Sequence, residues 1–113
     1  MRMSQRVARH LSLLNTLKNS RGARRKKIIK DASGDFVLTL CELAYNVLKG
    51  KIPLNARQYS RIRRHKKCLR SVARKKGVNG RKRRRLLCQQ GGFLPALLGV
   101  ALPFITSLLS NRG

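Results

Sequence analysis

Ser33-Gly34-Asp35-Phe36-Val37-Leu38-Thr39-Leu40-Cys41-Glu42-Leu43-Ala44-Tyr45-Asn46-Val47-Leu48-Lys49-Gly50 is the stretch on which the fold turns. Ser33 and Asp35 supply a cap and a first-turn acid, and 36–48 is apolar on all but a narrow stripe of Thr39, Glu42 and Asn46. A helix of this kind has to be covered on nearly every side. It reads as the central helix of a core, stopped by Gly50 with Pro53 just beyond.

Working outward toward the N-terminus, Ser4 can cap a helix over 5–19, in which Val7, Leu11, Leu14 and Leu17 recur at spacings of four and three while Arg6, Arg9 and Lys18 turn outward. Asn19-Ser20-Arg21-Gly22 breaks that pattern. Arg24, Arg25, Lys26, Lys27 and Lys30 then mark a basic turn or short helix, either a solvated face or an anion contact. Working outward toward the C-terminus, Asn55 can cap a further helix with a stripe of Tyr59, Ile62, His65, Leu69 and Val72 for the core. Its remaining surface carries Arg57, Arg61, Arg64, Lys67, Arg70 and Arg74. Lys75-Lys76-Gly77 ends it, and Val78-Asn79-Gly80 links it to the run Arg81-Lys82-Arg83-Arg84-Arg85, which can continue as a short helix through Cys88.

The expected fold is all-α: a small basic bundle of about four helices with a separate C-terminal apolar helix. The divisions are a helical domain over 1–76, a basic linker over 77–92 and a hydrophobic helix over 93–113. A chain of 113 residues suits one such domain with extensions.

Charge bounds the function. Twenty-eight Lys and Arg face three acids, for a net charge of +25, so the cations cannot neutralise one another and the compact state repels itself without an outside anion. Fifteen of the cations lie between Arg57 and Arg85, and no acid interrupts them. If about half of those fifteen met phosphates, the log affinity against log salt would fall with a slope of about −6. Base readout has little support, because the cations are spread round the helix, and stacking has little because Tyr59 falls on the core stripe.

After Arg85 no charge appears until Arg112. A helix over 93–109 would be roughly 26 Å long, short of the roughly 30 Å of a bilayer's hydrocarbon layer. Pro103 is expected to bend it, and Gly92, Ala96, Gly99, Pro103, Thr106 and Ser110 align as a small-residue face. Three readings stand: a buried core helix, a tail anchor, or a membrane-active or partner-binding segment presenting Phe93, Leu94, Leu97, Leu98, Leu102, Phe104, Ile105, Leu108 and Leu109. The third is the one adopted as the expectation.

Little points to catalysis or cofactors. No nucleophile elbow, phosphate loop or carboxylate pair is present, so no enzyme and no cofactor is expected. His65 and Cys68 have the spacing of two zinc ligands, with Cys41 or Cys88 to complete a set. However, no Cys-x-x-Cys occurs, and a lone helical Cys more often fills a core. Three widely spaced cysteines argue for a reducing compartment, and 1–17 lacks the continuous apolar run of a secretory signal.

Arg81-Lys82-Arg83-Arg84-Arg85 followed by Gly91-Gly92-Phe93-Leu94-Pro95-Ala96-Leu97-Leu98 resembles the precursor of adenovirus core protein X, mu, and its relatives in adenovirus-like Polinton or adintovirus elements. The likeness covers about the last third of the chain. It implies a virion core protein that condenses packaged double-stranded DNA, working in the host nucleus during assembly. It also implies processing by a viral cysteine protease at Gly91-Gly92, although Gln89 stands where that family favours an aliphatic residue. The resulting expectation is a histone-like protein that binds double-stranded DNA without sequence specificity and whose tail meets membrane or capsid proteins. The alternatives are a tail-anchored protein with its basic flank on anionic lipid, and an RNA-binding ribosomal-type protein.

Overall fold

The structure is a computed structural model and describes residues 3–73, 84–85, 87–88 and 91–110. The described residues are all-α, as the periodicities predict. The helices are α1 (Met3–Arg9), α2 (Leu11–Lys18), α3 (Gly22–Asp31), α4 (Gly34–Leu48), α5 (Ala56–Arg63), α6 (Lys66–Ala73) and, after a 3₁₀ turn at Gly91–Phe93, α7 (Leu94–Ser110).

The capping chemistry explains where the two best-defined helices start. Ser33 Oγ accepts the amide of Phe36 at 3.1 Å, and Asp35 adds negative charge to the first turn of α4. Asn55 and Gln58 form a reciprocal capping box at the start of α5, with bonds of 2.8 and 3.0 Å. At the end of α4, Gly50 has φ +73°, a conformation that suits glycine and turns the chain into the 51–54 loop.

Two segments expected as single helices are each divided in two. The chain breaks at His10, whose ring Nε2 donates to Asp35 Oδ2 at 2.7 Å while its edge meets Phe36 at 5.5 Å. This tertiary bond fixes the joint between α1 and α2 to the start of α4. The chain breaks again at 64–65, between α5 and α6, within the basic arm. Tyr59, expected in the core, is 52% exposed, because at three residues before Ile62 it stands about 60° round α5, at the edge of the inward stripe that Ile62, Leu69 and Val72 hold.

The larger correction concerns α7, which is not separate from the bundle. It packs against α1, α2, α4 and α5, while α4 also packs on α1 and α6. Leu94, Leu97, Leu98, Ala101 and Ile105 of α7 are completely buried. Burial of the four larger side chains stabilises the fold by up to about 6–12 kcal/mol, at about 1.5–3 kcal/mol each. That is comparable with the whole stability of a small domain. The physical reason is that α4 and the apolar stripes of α1 and α2 all need a cover, and an uncharged helix provides one without desolvating any charge. The small-residue face packs only in part, with Ala96 buried and Gly99 half-buried but Gly92, Pro103 and Thr106 exposed.

Candidate nucleic-acid interface

On α5 and α6 the division between faces follows from the sequence. Ile62 turns toward the core on α5, and Leu69, Val72 and Ala73 do so on α6. The other faces are left to Arg57, Arg61, Arg63, Arg64, Lys66, Lys67 and Arg70, all exposed. Arg63 and Lys66 were absent from the expected set, although both stand in the same run of cations between Arg57 and Arg70, and that run was the signal for them.

Cations this close repel one another, and no carboxylate lies between residues 57 and 85 to offset them. Of the chain's acids, Asp35 sits at the start of α4, with Arg9 Nη1 at 3.5 Å and His10 at 2.7 Å. Asp31 is exposed at the end of α3. Arg61 has one guanidinium nitrogen near Gly99, 3.9 Å from where a Cβ would stand, so its side chain lies along α7.

A second basic surface is carried by α3. Arg24, Lys26, Lys27 and Lys30 are exposed and Arg25 is half-buried, while Ile29 is fully buried beneath them. The segment expected as a basic turn or short helix is thus a helix anchored by Ile29, with Ile28 half-buried beside it, and it displays cations on its outer side.

Arg84 has a different place from the one expected. Its Nη1 donates to the carbonyls of Ile29 at 2.7 Å, Lys30 at 3.2 Å and Ala32 at 2.6 Å. These are the carbonyls at the C-terminal end of α3, where the helix dipole favours a cation. Arg84 therefore ties the polybasic segment to the bundle and is less available to a phosphate than its exposed neighbour Arg85. Arg74, Lys75, Lys76, Arg81, Lys82 and Arg83 lie outside the described residues.

The residues expected to meet a membrane or partner are mostly in the core. Phe93, Leu94, Leu97, Leu98, Leu102 and Ile105 are buried and Phe104 is half-buried; the side chains of Leu108 and Leu109 lie outside the described ones. Among the described residues no helix is long and apolar enough to cross a membrane. Gly92 is exposed in its 3₁₀ turn, next to buried Phe93. Cys41 is buried and Cys68 and Cys88 are half-buried, and among the described residues no three His, Cys, Asp or Glu side chains gather as a metal set.

Comparison of the chain with protein-family models, with curated proteins and with solved structures found no match.

Proposed function

We propose that this protein binds and compacts double-stranded DNA through its phosphates, without reading sequence, as a core protein of a virus-like particle. The observation that carries this reading is the α5–α6 arm, where seven exposed cations follow one another with no acid among them. Such a surface gains affinity by releasing counterions from the polymer, and nothing in that mechanism depends on base identity. The α3 cations and Arg85 add further contacts on the same principle. Two contacted surfaces on one small body give a means of drawing separate DNA segments together.

The choice of DNA in a virion, made in the host nucleus, rests on the resemblance of the 81–98 segment to the adenovirus core protein family. Burial of α7 argues against giving the tail a membrane or capsid role while the bundle is intact. It equally weakens the tail-anchored alternative.

A gel-shift titration on unrelated duplexes tests the proposal. Equal affinity across sequences, with a log–log salt slope of about −6, is expected. Strong preference for one sequence, for RNA over DNA, or no salt dependence would overturn it.

A further inference from the structure

We propose that the hollow between the 49–54 loop, α5 and α6 receives an unpaired nucleobase, stacked on Tyr59, from a single-stranded or locally opened stretch of nucleic acid. This rests on the nucleic-acid reading above and adds to it a contact of a different chemistry. The hollow holds about 290 Å3, with a floor of Val47, Ile52 and Ile62 and a rim of Tyr59, Arg63 and Lys66. Tyr59 is 52% exposed, so part of its ring is presented to solvent beside two cations.

The surroundings fit a strand better than an isolated ligand. At Leu48 and Lys66 the hollow meets a second one of about 480 Å3, bordered by Arg70 and by Tyr45, whose ring carries Lys49 Nζ at 5.6 Å. Arg63 also borders a third hollow, of about 300 Å3, with Ser60 and Arg64. Cations therefore border the aromatic site and both hollows that share residues with it, where the phosphates next to an unstacked base would need them. A duplex keeps its bases stacked inside and would touch the cations alone. An apolar peptide with acidic flanks would satisfy the charges. The nucleic acid is favoured because the rim residues Arg63 and Lys66 belong to the same arm that would already hold its backbone.

The full chain has no tryptophan and two tyrosines, so its emission comes from Tyr59 and from Tyr45, which borders the neighbouring hollow. Binding of dye-labelled oligothymidylate, a labelled duplex of equal length, or a labelled acidic amphipathic peptide would be followed by anisotropy of the label for wild type, Tyr59→Phe and Tyr59→Ala, with tyrosine emission recorded for wild type alongside. Circular dichroism would check that each variant is folded. Oligothymidylate is expected to quench wild-type emission. Tyr59→Ala should lose about five- to 150-fold in oligothymidylate affinity, the range seen when one stacked base is lost, and keep its duplex affinity. Tyr59→Phe should retain both. Equal losses for single strand and duplex, no loss for either, or tighter binding of the peptide than of oligothymidylate would overturn the proposal. Failure of wild type to bind duplex would instead strike at the DNA-binding reading itself, so the two failures are distinguishable.

Discussion

At the scale of single residues, Arg84 shows how a cation inside a polybasic run can be structural. The two N–H groups of one guanidinium nitrogen are shared among three carbonyls at the end of α3, and the other guanidinium nitrogens, with the longer side chain, give Arg a reach that Lys lacks. Arg84→Ala is expected to lower stability by about 1–3 kcal/mol in urea unfolding, and Arg84→Lys to recover only part of that. Arg85→Ala, altering an exposed neighbour, should leave stability nearly unchanged and flatten the salt slope of DNA binding by about 1. Gly50 carries a second residue-level prediction: with φ at +73°, Gly50→Ala should destabilise by about 1 kcal/mol in the same assay. Sequence distinguishes these cases unevenly. Gly50 announces itself by its place between an apolar helix and Pro53, whereas nothing local separates Arg84 from Arg83 or Arg85, since the carbonyls it meets are more than fifty residues away.

At the scale of elements, what was legible is what local chemistry decides. Ser33 and Asn55 marked the starts of α4 and α5 because a cap and the amide it accepts are three residues apart. The inward positions Ile62, Leu69 and Val72 were legible from spacing alone. The breaks at His10 and at 64–65 were not, because apolar spacing runs through both; at His10 the joint is held by the distant Asp35. The burial of α7 was hidden for a similar reason, since a helix without charges looks alike whether lipid or protein surrounds it. Its role is testable. Leu97→Ala, at a fully buried position, should cost about 2–5 kcal/mol by chemical denaturation, as expected of a core and not of an exposed tail. Gly99→Ala should be neutral or stabilising by up to about 1 kcal/mol, because a Cβ there meets only Arg61 at 3.9 Å.

At the scale of the whole molecule, an apolar centre built from α4 and α7 holds together a shell with a net charge of +25. Repulsion within that shell opposes folding, and dissolved ions screen it at separations beyond a Debye length, about 10 Å at 0.1 M. The melting temperature should therefore rise with sodium chloride between low and moderate ionic strength, as followed by circular dichroism. It should rise further when duplex DNA is added at fixed salt, because a ligand for the folded state stabilises it by mass action. Invariance in both titrations would contradict the charge-limited picture. The position of α7 within this centre has a consequence for biosynthesis. Helices α1 to α6 leave the ribosome before the segment that completes their core, so the earlier part of the chain waits, highly charged and with its greasy faces uncovered, until its final described helix arrives. Maturation of the bundle is thus a late, long-range event, and a nascent chain halted before residue 94 should remain dependent on chaperones or on a nearby polyphosphate for its solubility.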